Sequence, residues 1–254
     1  MIVILIVMGL MIGSFLNVVI CRVPLDQSII NPPSHCPKCN QRIKWYMNIP
    51  LLSYIFLRGR CGYCKSPISW QYPLIEFITA VIITGSYLVY GISFEAVSAA
   101  VFVIILLIIS IIDIRHFIIP WEILIPGMLW QIYFVVKQGH WLQATAAFFV
   151  AGIVILTILV IGKYFYKKDA MGGGDVYYAA FIAFFLGLHL LPLFFIMSFI
   201  SGSIIGIIAS RFVKKNIREM IIPFGPFLSV SGLVCYFWGD NIWDWYLITV
   251  RGAL

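Results

Sequence analysis

The stretch LIISIIDIRHFIIP, Leu107–Pro120, ends a long apolar run with a carboxylate, an arginine, a histidine and, four residues on, a proline. No charge interrupts the chain from Ala96 to Ile112, a run approaching the roughly 20 residues that a helix needs to cross the hydrocarbon of a bilayer. Asp113 stands where such a helix leaves the membrane. An ionisable group at that depth is costly, so it ordinarily faces a bundle interior or a wet cavity.

Working outward, the same pattern recurs along the chain. Of its 254 residues 62% are hydrophobic and 11% charged, more apolar surface than a soluble domain of this length can hide. Eight segments read as spans, at about Met1–Ile20, Leu74–Tyr90, Ala96–Ile112, Ile119–Val136, Leu142–Ile161, Val176–Leu190, Leu193–Ser210 and Ile221–Trp238. The expected fold is an all-α polytopic membrane protein of about eight transmembrane helices, with a small insert between the first two. The first run lacks a basic leading region and a small-residue cleavage site, and its first cation, Arg22, follows it. That pattern predicts an uncleaved anchor with its N-terminus outside.

The net charge of +7 reports orientation. The loops holding Arg22 and the insert, Arg115, Lys163–Lys168 and Arg211–Arg218 carry fifteen of the seventeen cations, against Lys137 and Arg251 on the other side. The cation-rich side is expected to be cytoplasmic, and nucleic acid is not needed to explain the charge.

The polar insert from Cys21 to Pro73 contains HCPKCNQ and RCGYCKS. Cys36 and Cys39 form one C-x-x-C pair, Cys61 and Cys64 another, with 21 residues between the pairs. Two such knuckles suit four thiolates around one tetrahedral zinc, and four sulfurs close the coordination sphere, which is a structural arrangement. Disulfides are the alternative, disfavoured in a compartment that keeps thiols reduced. His35 reads as a surface residue, and Cys21 and Cys235 as small apolar ones.

A second carboxylate opens an apolar run in AMGGGDVYYAA, Ala170–Ala180. The topology puts Asp175 at the same membrane edge as Asp113. Two carboxylates at one depth suit an aspartyl hydrolase, in which a pair shares a proton and activates water. Gly172, Gly173 and Gly174 would let a substrate backbone come close. The competing reading is a flexible linker before an N-capping aspartate. Glu76, at the inner end of the second span, is a further candidate site residue, placed either to bind substrate or to sit in the headgroup layer. Glu122 is expected one turn inside the fourth span, and Asp169 is an ordinary loop charge.

Several stretches resemble the type IV prepilin peptidases: GSFLNVVICRVP (Gly13–Pro24), the two C-x-x-C pairs, NIPLLSYIFLRGRC (Asn48–Cys61), ISWQYPLIE (Ile68–Glu76), Asp113 with the following IIP, GGGD (Gly172–Asp175) and PFGPFL (Pro223–Leu228). The motifs occur in family order over nearly the whole chain. The resemblance implies a bifunctional enzyme of the cytoplasmic membrane that removes the basic leader of prepilins or pseudopilins and N-methylates the new N-terminus with S-adenosylmethionine. By position, Asp113 and Asp175 would be the catalytic dyad, Gly172 and Gly174 the motif glycines, and Cys36, Cys39, Cys61 and Cys64 the zinc ligands. The implied organisation is a first transmembrane helix (1–20), a cytoplasmic four-cysteine zinc-binding domain (21–73) and a polytopic peptidase domain (74–254). The compact cation-rich loops resemble the Gram-positive competence type. Two positions depart from the family pattern: Trp121, where an acid or amide often follows the proline, and Tyr177, where a lysine often stands. On the residues alone, a carboxylate-based transporter or a non-enzymatic assembly factor stays open, though neither accounts for the whole set of motifs.

Overall fold

A computed structural model of the chain describes residues 1–166, 172–213 and 222–251. Lys167, Lys168, Asp169, Ala170 and Met171, and Lys214, Lys215, Arg218, Glu219 and Ile221, lie outside the described residues. The helices are α1 (Ile2–Arg22), α2 (Leu52–Phe56), α3 (Gln71–Tyr90), α4 (Phe94–His116), α5 (Trp121–Gln138), α6 (Trp141–Tyr166), α7 (Gly173–Leu186), α8 (Leu191–Val213) and α9 (Gly225–Arg251). No strand occurs among the described residues. Each of the eight expected segments falls mainly on a helix where described, with non-helical residues at the ends of some, among them Ile119–Pro120, Gly187 and Ile222–Phe224. Five helices are long and apolar enough to cross a membrane: Ile2–Leu25, Gln71–Tyr90, Phe94–His116, Trp141–Phe165 and Leu188–Arg211. The protein is therefore an all-α polytopic membrane protein.

Helix ends differ from the sequence expectation for local reasons. Pro120 lies outside α5 in an extended conformation (φ −67°, ψ 120°), so the helix begins at Trp121 and Glu122 is in its first turn, not one turn inside. The sixth segment stops at Leu186, because Gly187 takes φ 77° and a single 3₁₀ turn, Leu188–Leu190, leads into α8. Pro192 then falls in the first turn of α8, where its missing N–H costs nothing. The last helix continues past Trp238 to Arg251, and Asp240 on that extension meets His189 at 2.8 Å.

The chain divides into two compact units, Met1–Ile104 and Ile105–Leu254. In the first, α1 and α3 form an antiparallel pair. A Cβ on Gly9 would lie 2.5 Å from Ala80 Cα, and one on Gly13 2.6 Å from Glu76 Cα. Two glycines four residues apart thus let two backbones touch, as small residues do where membrane helices pack. Fully buried Asn17 completes the seam, donating to Gly13 O and Tyr72 O at 3.2 and 3.1 Å and accepting from Gln71 Nε2 at 3.3 Å. Its amide is satisfied where lipid would offer no partner.

In the second unit α7 is the inner helix, packed against α6, α9 and α5. From Tyr178 to Leu186 every residue is buried, which explains why its sequence is apolar all round. At 14 residues it is only about 21 Å long. Val135, Ala144 and Phe184 form an apolar cluster with Met128, Phe134 and Phe148 around it.

Candidate functional site

The insert is built from two copies of one turn. In the first knuckle Cys36 N–H donates to Gln41 O and Asn40 N–H to Cys36 O; in the second Cys61 N–H donates to Ser66 O and Lys65 N–H to Cys61 O. Asn40 and Lys65, at matching positions, both have left-handed backbones (φ 55° and 60°). Each knuckle is closed by one isolated bridge, His35 to Arg42 and Arg60 to Pro67, so the hairpins of a zinc ribbon shrink here to single bridges.

The four ligand sulfurs of Cys36, Cys39, Cys61 and Cys64 all lie within 4.8 Å of one another. No disulfide joins them. A zinc ion with bonds of about 2.3 Å separates its sulfurs by about 3.8 Å, and Cys36 and Cys64 sulfurs are 3.9 Å apart. The donor set and its spacing fit zinc. The Cys39 amide, opposed by burial and assisted by the Lys38 amide and the Ser66 hydroxyl, holds the Cys36 thiol down at about 6. The Ser66 hydroxyl and amide likewise lower Cys64. Two ligands are thus disposed toward the thiolate form that binds metal, while, against the Gln41 amide, burial and the neighbouring sulfurs push Cys39 up to about 11. His35 is exposed with Nδ1 against Pro33 O, as a surface residue should be.

The two aspartates both lie in the second unit. Asp113 lies in the last turn of α4 and Asp175 in the first turn of α7, each 5% exposed. They are within Coulombic reach of each other, and Tyr178 is within reach of both. Each carboxylate is held through one oxygen by a backbone amide: Gly225 N–H donates to Asp113 Oδ2 at 2.8 Å, and Gly172 N–H to Asp175 Oδ2 at 3.0 Å. Both bonds lie at helix N-termini, where an anion is favoured. The Oδ1 atoms have no hydrogen-bond partner among the described residues.

Asp175 does cap its helix, through the bond from Gly172 N–H, as the competing reading expected, but two of the glycines belong to the helix itself. Gly172 precedes α7 and Gly173 and Gly174 are its first residues. A Cβ on Gly174 would sit 3.0 Å from Ile119 Cβ, whereas one on Gly173 would meet nothing. Gly174 is there to admit Ile119. Tyr177 reinforces the contact by donating its hydroxyl to Ile119 O, so the residue that departs from the family pattern ties the start of α7 to the segment after Asp113. Exposed Glu122 is within Coulombic reach of Tyr177.

Sequence reasoning gave PFGPFL no role, yet its glycine touches the site. A Cβ on Gly225 would fall 2.6 Å from Asp113 Oδ2. One turn on, Ser229 donates to Gly225 O at 2.8 Å, and buried Tyr178 meets Ser229 at 2.6 Å. The signal in sequence was Pro226 just inside a helix start. Glu76, in the first unit, is 7% exposed and accepts from Leu51 N–H at 2.8 Å.

Residues 7–90 match the bacterial peptidase A24 N-terminal domain, and residues 100–207 match the type IV leader peptidase family. A relative from Bacillus subtilis, a prepilin leader peptidase/N-methyltransferase, is 33% identical over 98% of this chain and 99% of its own. The chain belongs to the type IV leader peptidase family. A Legionella pneumophila member with the same description is 33% identical over 94% of this chain and 92% of its own. One from Myxococcus xanthus is 38% identical over 80% of this chain and 61% of its own. No solved structure matches the chain.

Proposed function

We propose that this member of the type IV leader peptidase family is a membrane aspartic endopeptidase that removes the leader from prepilins or pseudopilins and methylates the new N-terminus. The observation that carries the reading is the pair Asp113 and Asp175, both buried, mutually interacting and each anchored through Oδ2 alone. The free Oδ1 atoms are available to a water and to the scissile carbonyl. In this mechanism two interacting carboxylates share one proton between them. The ionised member takes a proton from water as it attacks, and the protonated member donates to the carbonyl oxygen. Gly172 keeps a side chain off the Asp175 carboxylate, Gly174 gives room to Ile119, and Gly225 keeps a side chain off Asp113 Oδ2.

Cys36, Cys39, Cys61 and Cys64 hold a structural zinc that staples an insert too small to build a core. S-adenosylmethionine supplies the methyl group in the second activity. The division into a first transmembrane helix (1–20), a four-cysteine zinc domain (21–73) and a polytopic peptidase domain (74–254) follows from these roles. Fifteen of seventeen cations on one side support an outside N-terminus with the zinc domain and dyad in the cytoplasm. A prepilin's scissile bond lies at that same interface, between a basic leader and an apolar helix. The compact, cation-rich loops favour a competence-type pseudopilus as the destination.

The test is the N-terminal mass of a pilin-like substrate co-expressed with this protein or with its Asp113→Ala and Asp175→Ala variants at equal membrane levels. Leader loss and a methyl increment with the wild type, and the intact precursor with either variant, are expected. Unchanged cleavage in one variant rejects the dyad, and a carboxylate transporter or assembly factor becomes the better reading.

A further inference from the structure

We propose that the short helix α2 of the zinc insert is an in-plane membrane anchor, lying at the headgroup and acyl boundary of an anionic leaflet. The insert leaves α1 at Arg22 and enters α3 at Gln71, so both its ends are tied to spanning helices. Leu52, Ile55 and Phe56 stand at i, i+3 and i+4, one face of a helix, and all three are exposed, Phe56 at 81%. Ser53 and Tyr54 on the other side are half-buried. For a helix facing water α2 is inside out, with its apolar residues turned away from the protein.

Contacts at both ends of α2 fix the depth of that face. At 20 residues α3 is about 30 Å long, about the thickness of the hydrocarbon core. Gln71 therefore stands at one edge of that core, and Glu76 lies about 7 Å inside it. Glu76 accepts a hydrogen bond from Leu51 N–H at 2.8 Å, and helical side chains lean toward the helix start. The residue before α2 is thus held at or just below the interface, with φ 58°, a conformation rare for a side chain of its size. Tyr54 packs its ring on Trp70 at 5.4 Å between centroids and donates to Ile68 O at 3.4 Å. Trp70, 77% exposed, is the residue before α3, and tryptophans gather at such span ends. Amphipathic surface helices sink about 5–10 Å into the headgroup and acyl boundary, which is the depth these contacts impose.

The charges around this face select the lipid. Lys38, Arg42, Lys44, Arg58, Arg60 and Lys65 are all exposed, and none has an ion-pair partner among the described residues. Asp26 is the insert's one carboxylate, and a zinc with four thiolates carries two negative charges, which leaves the insert at about +3. Arg58 and Arg60 follow α2 closely. Clusters of about 4–8 cations beside a span or on an amphipathic helix attract anionic headgroups. An apolar pilin helix could also cover Leu52, Ile55 and Phe56. It offers nothing to six cations, however, and they would repel a basic leader.

The test uses the full zinc-loaded chain with benzoylphenylalanine in place of Phe56, in nanodiscs of equal anionic and zwitterionic phospholipid that also hold a pilin-like substrate. After irradiation, mass spectrometry should find phospholipid joined at position 56, anionic over zwitterionic by at least about threefold. Arg58→Gln with Arg60→Gln should bring that ratio back to about one. In the unlabelled chain Ile55→Glu should raise the rate of trypsin cleavage after Arg58 by about tenfold, with zinc content, the check on folding, unchanged. An adduct with the pilin in place of lipid, or no adduct in zinc-loaded protein, overturns the assignment. So does a lipid ratio that the arginine substitutions leave unchanged, or a trypsin rate that Ile55→Glu does not raise.

Discussion

Asp113 and Asp175 were legible in the sequence as candidates because each stands at the edge of an apolar run, where a carboxylate is costly. Gly225 was not, because its relation to Asp113 spans 112 residues and only the folded chain brings them together. The same geometry makes the site sensitive to single methyl groups. Gly225→Ala would put a carbon 2.6 Å from Asp113 Oδ2, so the carboxylate must move, and we expect cleavage to fall by about 10²-fold in protein still inserted and still holding zinc. Gly174→Val should lower it through the contact with Ile119, whereas Gly173→Ala should cleave nearly normally, since its Cβ meets nothing. Equal sensitivity at both positions in a membrane cleavage assay would show that backbone freedom, not room, is what these glycines provide. Tyr178→Phe loses the bond to Ser229, which retains its own bond to Gly225 O. A cost of about 1 kcal/mol should appear as a lower unfolding midpoint, with cleavage kept within a few fold.

At the scale of elements, the C-x-x-C spacing announced a metal turn, while the left-handed Asn40 and Lys65 that close each knuckle had no signal beyond two polar residues. A strong chelator should remove one zinc per chain, measured by elemental analysis, and expose the insert to limited proteolysis. Cys36→Ser should do both without chelator. Retention of a protease-resistant insert after complete metal loss would mean that the knuckles fold on hydrogen bonds alone. The α1–α3 seam was hidden for another reason. Gly9 and Gly13 are unremarkable in an apolar run until α3 is known to lie against them. Gly13→Leu must push Glu76 Cα away from 2.6 Å, and overpacking of this kind costs typically about 1–3 kcal/mol, readable as a lower thermal midpoint in detergent.

At the scale of the whole molecule, apolar runs gave the order of the helices, while their ends were set by particular residues, Pro120 before α5 and Gly187 after α7. Length is the feature that composition read least well. Fourteen residues of α7 are enclosed by neighbours, so the run that contains Asp175 looks like a span and is the inner helix of the second unit. Orientation rests on the distribution of cations, and reporter fusions check it. Alkaline phosphatase joined near Lys137 should be active and one joined within the Cys36–Cys64 insert inactive; the reverse pattern would turn the molecule over.

The central claim is that Asp113 and Asp175 act as one unit. The measurement that tests it most directly is the single-turnover cleavage rate of a pilin-like substrate by the reconstituted wild type, Asp113→Asn, Asp175→Asn and the double variant. Groups that work as a unit are not additive, so each single variant should lose at least about 10³-fold and the double should lose little more. A single variant that keeps substantial cleavage, or a double whose loss is the product of the two, would contradict the account.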